Sequence, residues 1–172
     1  MTRARKATAP VAPRVTLLAV TPDGEKLVAA AARLCYASDP AAISRHDPED
    51  NARLVRMVVE RGHLSTIEHV SFTFLLEGVS RAMTHQLVRH RVASYSQRSQ
   101  RYVAEHDFAY VAPPRLRGKK VATAAGDVDS ERYFHETMVY LAERYAVLCE
   151  ALGGTPEESR EDARYVLPNA CE

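Results

Sequence analysis

Two periods of hydrophobic positions run through the chain, one typical of strands and the other typical of helices. Apolar and β-branched residues fill the stretch from Arg14 to Val20, and an alternating pattern that turns apolar runs from Val70 to Glu77, so both predict strands. Apolar residues at every third or fourth position predict helices elsewhere. The predicted helices cover residues 25–36, 48–61, 80–91, 130–152 and 156–166. Because helices outnumber strands and the two do not alternate as strand–helix–strand units, the expected class is α+β.

Some segments show neither period. Residues 1–13 are rich in Ala, Arg and Pro and predict a flexible N-terminal arm, and residues 113–126 predict a flexible insertion. Residues 92–102 are polar and predict an ordered loop. The chain has 172 residues, of which 46% are hydrophobic and 26% charged, as in globular domains that bury a sizeable core. We therefore expect a single domain over residues 14–172.

Charge and cysteine content narrow the possible functions. Lys+Arg is 23 and Asp+Glu is 22, so the formal net charge is +1, which argues against a dedicated nucleic-acid binder. No apolar run reaches the length of a membrane span, and the N-terminus lacks the apolar core of a signal peptide. Cys35, Cys149 and Cys171 have unrelated spacings that predict neither disulfides nor a metal site, and the first two fall in apolar helical stretches as packed small residues. We expect a cytoplasmic protein with no nucleic-acid and no membrane partner.

One segment concentrates the candidate chemistry. Residues 78–104 contain five arginines and neither Asp nor Glu, although the chain as a whole is nearly neutral. These arginines are Arg81, Arg89, Arg91, Arg98 and Arg101. Because the planar guanidinium group donates two parallel hydrogen bonds to phosphate or carboxylate, an acid-free run of arginines predicts an anion site. The alternative is structural, since cations at a helix C-terminus are favoured by the helix dipole by about 0.3–1 kcal/mol.

Helical spacing gives this segment a geometry. Arg81, His85 and Arg89 are four residues apart and share one face of the predicted helix. The run Arg89-His90-Arg91 then ends the helix and opens into a loop with many hydrogen-bond donors and little apolar mass, which favours binding over simple capping. The donors are Ser94, Ser96, Gln97, Ser99, Gln100 and Arg101.

Other candidate motifs are weaker. His63, Ser65, Glu68 and His69 lie between a predicted helix and a predicted strand, which invites a zinc hypothesis. Their spacing is not that of HExxH and the cysteines are remote, so we expect no metal and interpret these histidines as caps or core hydrogen bonders. Neither GxGxxG nor GxxxxGK[ST] occurs, so a nucleotide cofactor would not be held by a Rossmann or P-loop cradle.

The basic segment carries a family resemblance. Arg89-His90-Arg91, followed after seven residues by Ser99, matches the RHR-x7-S signature of flavin-dependent thymidylate synthases. The surrounding residues 80–103 resemble that family throughout, as do GHLSTIEHVSFTF at 62–74 and EDARYVLPNACE at 161–172. The order and separation of the three stretches also fit, so from about Val15 onward the chain is similar to this family.

The resemblance implies a fold, a reaction and an assembly. The fold would be α+β, with helices packed on a small, mostly antiparallel sheet, and residues 14–172 would form the catalytic domain. The enzyme would make dTMP from dUMP, with methylenetetrahydrofolate as the one-carbon donor and FAD, recharged by NADPH, as the hydride source. It would use no cysteine nucleophile, and it would be a homotetramer whose active sites lie between subunits.

The resemblance also implies which residues form the site. FAD contacts are expected from Ser65, Arg89, His90, Arg91 and Gln97. Contacts with dUMP are expected from Gln86, Leu87, Val88, Arg89, Gln97, Arg98, Ser99, Gln100, Arg101 and Arg164. Catalytic roles would belong to His63, Arg89 and Ser99. A nucleophilic Ser99 stays open, but no base is evident in the sequence, so we expect its hydroxyl to bind the substrate phosphate.

The sequence leaves two alternative functions open. The chain could be a non-catalytic nucleotide- or RNA-binding module, although Tyr95 and Tyr102 alone make a thin stacking platform. It could also be an inactive or truncated family member that still binds nucleotide or assembles.

The resemblance implies that the family continues for some tens of residues past Glu172, with further flavin contacts and an arginine that helps to ionise uracil. We therefore expect a chain that is C-terminally incomplete relative to the family.

Overall fold

The computed structural model of the chain describes residues 9–44 and 47–172. They form two compact units, one of Val15–Leu75 and the other of the residues up to Arg14 together with Leu76–Glu172. We call these the 15–75 unit and the 76–172 unit and describe each by itself. The single domain expected over residues 14–172 stays a prediction.

The 15–75 unit begins with a strand and continues with two helices. Its elements are strand β1 (Arg14–Val20), helix α1 (Gly24–Tyr36), helix α2 (Pro48–Glu60), a 3-10 segment (Leu64–His69) and strand β2 (Phe72–Glu77). The Asp47 side chain accepts hydrogen bonds from the main-chain N–H groups of Glu49 and Asp50, which fixes the first turn of α2. Gly62, with φ of +74°, ends that helix.

Small side chains let α1 and α2 pack closely. The buried apolar residues are Val28, Ala29 and Ala32 on α1 and Val58 on α2. Beside this contact, Arg33 donates to the Asp50 carboxylate at 2.7 Å and so joins the two helices. The predictions for both helices are confirmed to within one residue at each end.

The strand pair β1–β2 has exposed apolar side chains on most of its positions. β1 and β2 are neighbours in a two-stranded sheet, and Arg14 Nε lies 3.2 Å from Glu77 Oε2. At the other end, Thr21 N donates to Ser71 O at 3.0 Å, so the strands run antiparallel. The side chains of Val15, Leu17, Leu18, Phe72 and Phe74 are all at least half exposed in the single chain.

The 76–172 unit is dominated by one long helix. Its elements are helix α3 (Arg81–Leu87), strand β3 (Lys120–Thr123), strand β4 (Gly126–Asp129), helix α4 (Ser130–Leu152), helix α5 (Pro156–Ala163) and a 3-10 turn (Arg164–Val166). Ser80, Asp129 and Thr155 cap α3, α4 and α5 respectively, each by accepting a hydrogen bond from a main-chain N–H in the first turn. The predicted bounds of α4 are confirmed.

The core of this unit gathers side chains from segments distant in sequence. Its buried members are Phe108, Tyr110, Met138, Ala142 and Cys171. Tyr145 of α4 is also fully buried, whereas Leu152, seven residues further along the helix, is exposed because α4 runs past the core. Of the predicted N-terminal arm, residues 1–8 lie outside the described part of the chain. Residues 9–11 pair with Tyr110, since Tyr110 N donates to Ala9 O and Val11 N to Tyr110 O.

Two predicted elements of this unit are wrong. Helix α3 ends at Leu87 rather than Arg91, because Arg89 N and His90 N bond to carbonyls three residues back and the chain leaves the α-helical path. The predicted flexible insertion instead contains an antiparallel hairpin, in which Lys120 pairs with Asp129 and Thr123 with Gly126. With its helices and two small two-stranded sheets, the described chain confirms the α+β class. None of the described helices is long and apolar enough to cross a membrane.

Candidate functional site

An acid-free cavity lies in the 76–172 unit. Its volume is about 310 Å³, within the range of about 300–1,000 Å³ that is usual for ligand sites. Its wall comes from α3, from the loop after α3 and from the segment that follows α5. The lining residues are Arg81, His85, Gln97, Arg98, Ser99, Gln100, Arg164, Leu167, Pro168 and Asn169. Three guanidinium groups, three amides and a hydroxyl without a lining carboxylate suit a polar anion.

The first turn of α3 fixes one side of the cavity. Arg81 N donates to Cys171 O at 2.9 Å, and Ala82 N donates to Asn169 O at 3.0 Å. The free N–H groups of the helix start therefore hold the 169–171 segment in place. Just before the helix, Gly78 N donates to Glu172 Oε1 at 2.7 Å. Residues 87 to 94 positions apart in the sequence thus meet at this wall.

Arg81 is a buried cation with donors to spare. Only 9% of the residue is exposed, and its Nη2 donates to Arg98 O at 2.7 Å. Its Nε is buried and has no hydrogen-bond partner among the described residues. Burial lowers the pKa of this guanidinium, which nevertheless stays charged at neutral pH. A buried N–H without a hydrogen-bond acceptor is energetically costly.

Arg98 is held from behind the cavity wall by Glu105. Arg98 Nη2 lies 2.9 Å from each carboxylate oxygen of Glu105, a residue that is 2% exposed. Burial raises the pKa of the Glu105 carboxyl, and the Arg98 guanidinium acts in the opposite direction. The main-chain N–H of Glu105 donates to the Tyr145 hydroxyl at 3.4 Å.

Glu161 links two other arginines of the predicted site. Its carboxylate lies 3.0 Å from Arg101 Nε and 3.8 Å from Arg164 Nη2. Arg164 lies in the turn that follows α5 and lines the cavity, whereas Arg101 does not line it. Ser99 Oγ accepts a hydrogen bond from Arg101 N at 3.2 Å, which leaves the hydroxyl proton free to be donated.

The structure brings part of the predicted site together. Of the dUMP positions implied by the resemblance, those that line the cavity are Gln97, Arg98, Ser99, Gln100 and Arg164. The remaining dUMP positions do not line the cavity; these are Gln86, Leu87, Val88, Arg89 and Arg101. Two of the lining amides are anchored, since Gln97 Nε2 donates to Thr84 Oγ1 at 2.6 Å and Gln100 Nε2 lies 3.7 Å from Cys171 Sγ.

The RHR run lies outside the cavity. Arg89, His90 and Arg91 are exposed in the turn after α3. Arg89 Nε donates to His85 O at 3.2 Å, and the Tyr95 hydroxyl donates to His90 O at 2.8 Å. The bond from Arg89 to the His85 carbonyl caps the C-terminus of α3, as the structural alternative for these arginines predicts. Because α3 ends early, this run does not continue the face of Arg81 and His85.

His63 and Ser65 belong to the 15–75 unit. Both are exposed at the start of the 3-10 segment, where His63 O accepts a hydrogen bond from Thr66 Oγ1 at 2.8 Å. The dUMP positions implied by the resemblance do not include three residues that line the cavity, Arg81, His85 and Asn169. For the first two a signal existed, since they share a helix face inside the acid-free segment. Asn169 carried no such signal, because its place depends on a long-range contact.

The cysteines differ in exposure. Cys171 is fully buried, and burial raises the pKa of its thiol to about 12. Cys149 is partly buried. Cys35 is exposed, which corrects the expectation of a packed residue, because the last turn of α1 runs past the buried stretch that ends at Ala32.

This contrast predicts a labelling pattern. At pH 8, iodoacetamide should modify Cys35 in the folded chain and leave Cys171 unmodified, since a buried thiol with a pKa of about 12 is both protonated and inaccessible. Peptide mass spectrometry over a time course would measure this, with the chain in guanidinium chloride as the control in which all three thiols react. Equal rates at Cys35 and Cys171 in buffer would contradict the buried position of Cys171.

Comparisons with known proteins identify the family. The family model described as thymidylate synthase complementing protein matches residues 16–172. The chain is 42% identical to a flavin-dependent thymidylate synthase of Clostridium tetani and 44% identical to one of Nitratidesulfovibrio vulgaris. In both cases the match covers 92% of this chain and 66% of the relative, so the chain spans just under two thirds of the length of these relatives.

Solved structures show the same fold. A UMP/dUMP methylase from Streptomyces cacaoi, bound with 5-Br dUMP, matches with a TM-score of 0.73 at 24% identity, over 95% of this chain and 70% of that one. Thymidylate synthase X from Helicobacter pylori, with FAD and dUMP, matches with a TM-score of 0.62 at 22% identity, over 93% of this chain and 74% of that one. The family model that matches residues 16–172, together with the two relatives above, confirms the resemblance carried by the RHR-x7-S segment, and the chain belongs to the family of the flavin-dependent thymidylate synthases.

Proposed function

We propose that the chain is a flavin-dependent thymidylate synthase that makes dTMP from dUMP, with methylenetetrahydrofolate as the one-carbon donor and FAD, reduced by NADPH, as the hydride source. The observation that carries this proposal is the acid-free cavity, with three arginines in its wall and the buried Nε of Arg81 without a partner among the described residues. The relatives are named for this activity, and two structures of the same fold hold dUMP or its bromo analogue.

In this proposal the cavity binds the nucleotide. The phosphate takes hydrogen bonds from Arg81 and Arg164, whose guanidinium groups reach the cavity without a competing carboxylate in its lining. The Ser99 hydroxyl, which already accepts from Arg101 N, donates its proton to a phosphate oxygen rather than acting as a nucleophile. Gln97 and Gln100, anchored on Thr84 and Cys171, offer amide groups to the sugar or the base.

Fixed cations also fit the chemistry of the uracil ring. Attack by C5 on a one-carbon unit requires electron density at C5, which grows when negative charge develops on N3 and O4. Preorganised guanidinium groups stabilise such charge without reorganisation, and this role is proposed for the cations of the cavity. A catalytic role is also proposed for Arg89, which lies in the exposed turn outside the cavity. No cysteine thiolate is required, which agrees with a protonated, buried Cys171.

The exposed RHR run fits a flavin nucleotide by charge and donor type. Arg91 and His90 are exposed, and Arg89 uses only its Nε in the hydrogen bond to His85 O, so cationic donors remain for the pyrophosphate of FAD. Bound FAD would supply the hydride. Ser65 and Gln97 are proposed as further FAD contacts, and His63 as a residue that matters for turnover beside the flavin.

The exposed strand pair supports self-association, and we propose a homotetramer with shared active sites. If the chain stayed alone, an apolar patch would be exposed to water, formed by Val15, Leu17, Leu18, Phe72 and Phe74.

Three free thiols among the described residues fit a reducing compartment, so a cytoplasmic location is proposed.

Binding of dUMP to the chain tests the proposal directly. Calorimetric titration should show saturable binding of dUMP, and Arg164→Lys should weaken it about tenfold, or about 1.4 kcal/mol, because lysine keeps the charge but loses the two-pronged geometry. Arg115→Lys, at an exposed arginine of the same unit, is the matched control and should leave binding unchanged. Absence of saturable dUMP binding, or an unchanged affinity in Arg164→Lys, would contradict the proposed site.

A further inference from the structure

A carboxylate stands directly behind the acid-free wall of the cavity. Glu105 is 2% exposed and does not line the cavity, yet it is the acid that faces the lining arginine Arg98. A buried carboxylate is costly unless it is paired. Charge pairing does not by itself require burial, since an exposed ion pair would provide it. The buried position of Glu105 therefore needs a separate explanation.

The contacts of Glu105 form a series that ends in the cavity. Arg98 Nη2 bonds to both carboxylate oxygens of Glu105 at 2.9 Å. The main-chain carbonyl of Arg98 in turn accepts the hydrogen bond from Arg81 Nη2 at 2.7 Å. Arg81 is the buried cation whose Nε has no partner among the described residues. The position of the Arg81 guanidinium therefore depends on the position of the residue 98 peptide, which depends on Glu105.

Charge gives the same carboxylate a second effect. Arg81, Arg98 and Arg164 all line one cavity and repel one another. An acid inside the cavity would relieve that repulsion but would compete with an anionic ligand for the same donors. Glu105 relieves this repulsion from behind the cavity wall. Both of its carboxylate oxygens are bound by Arg98, so it offers neither of them to the cavity.

We infer that Glu105 is a positioning residue, which holds the Arg98 loop and through it the Arg81 guanidinium in the geometry that receives the phosphate of dUMP. This inference rests on the proposed function, since it takes dUMP as the ligand of the cavity. Glu105 itself touches no ligand in this arrangement and acts only through Arg98. The Tyr145 hydroxyl, which accepts from Glu105 N, fixes the main chain at the base of the series.

The test compares dUMP with deoxyuridine, which lacks the phosphate. Glu105→Gln should weaken binding of dUMP at least tenfold and change binding of deoxyuridine less than twofold, both measured by NMR titration. A general loss of structure would weaken both ligands alike, so the ratio of the two affinities isolates the effect on phosphate binding. Glu105→Asp, which keeps the charge but is one methylene shorter, should lose dUMP affinity about threefold to fivefold.

A matched control comes from an ion pair remote from the cavity. Glu136 on α4 accepts from Arg132 Nε at 2.7 Å in an exposed setting, and Glu136→Gln should leave both affinities unchanged within twofold. If Glu105→Gln does not fold, Glu105→Asp alone tests the inference, because this variant keeps the carboxylate that pairs with Arg98.

The two levels of the inference fail in different ways. If the unmodified chain binds no dUMP, the proposed function is overturned together with everything built on it. If the unmodified chain binds dUMP, while folded Glu105→Gln or Glu105→Asp keeps the same ratio of dUMP to deoxyuridine affinity, the positioning role of Glu105 alone is overturned.

Discussion

Gly78→Ala is expected to lower the free energy of unfolding by about 3 kcal/mol, from left-handed backbone strain of about 1–2 kcal/mol and overpacking of about 1–3 kcal/mol. Gly78 lies between β2 and α3 with φ of +64°. A Cβ at this position would stand 2.1 Å from Ala12 O and 2.7 Å from Ala12 C. Both are main-chain atoms, which cannot rotate away as the end of a side chain would.

The strain at Gly78 would also reach the cavity. Gly78 N donates to Glu172 Oε1, and three residues later Arg81 begins α3 and bonds to Cys171 O. Any shift of the main chain that relieves the clash moves the start of α3. We therefore expect the surviving folded population of Gly78→Ala to bind dUMP more weakly than the unmodified chain.

Gly118→Ala is the matched control for this substitution. Gly118 lies in the same unit with φ of +68°, but a Cβ there would meet nothing within 4 Å. It should therefore incur the backbone strain alone, about 1–2 kcal/mol. Urea titrations followed by far-UV circular dichroism would give the two values. Equal losses in the two variants would show that the Ala12 contact carries no energetic weight.

Local signals in the sequence were sufficient for most helices. Pro48 at the start of α2, Gly62 after its end and Ser80 before α3 indicate these helix boundaries, because capping and backbone conformation depend on a few neighbouring residues. The 23-residue helix α4 follows from its apolar stripe in the same way. These elements form for reasons that can be read within one or two turns of chain.

The hairpin of β3 and β4 carried no comparable signal. Its two-residue connection is Ala124-Ala125, which lacks the Asn-Gly or Asp-Gly pair typical of tight hairpin turns. Each strand has only four residues. The turn is closed instead by a hydrogen bond from Thr123 Oγ1 to Gly126 O at 2.7 Å and by Gly126 with φ of +112°. A composition rich in Gly, Lys and Ala therefore predicted a flexible insertion.

Charge indicated which part of the chain could bind an anion, but not which of its residues line the cavity. The absence of acids from residues 78–104 indicates where an anion can bind, because unpaired arginines need partners. Which arginines face the cavity depends on where α3 ends, and that end places Arg89 in an exposed turn. The contributions of Glu105 and Asn169 depend on tertiary contacts that span 7 and 87 residues, which no local pattern reports.

Arg81→Met is expected to weaken binding of dUMP at least about 30-fold, or about 2 kcal/mol, since a hydrogen bond to a charged group contributes roughly 1.5–3 kcal/mol. The buried Nε of Arg81 has no partner among the described residues, and the phosphate is proposed as its acceptor. Methionine fills a similar volume without charge, and it spares the fold the desolvation of a buried cation. Titration of dUMP and of deoxyuridine separates the loss of phosphate contact from a general change in the cavity.

Arg81→Lys distinguishes charge from geometry at the same position. Lysine keeps the positive charge but has neither the Nε nor the planar fork, so we expect about a tenfold loss of dUMP affinity, between that of the unmodified chain and that of Arg81→Met. Arg115→Met, at an exposed arginine of the same unit, controls for net charge and should change dUMP affinity less than twofold. If Arg81→Met binds dUMP within twofold of the unmodified chain, then Arg81 serves only to hold the Arg98 carbonyl, and the anion in the cavity must be bound by Arg98 and Arg164 without it.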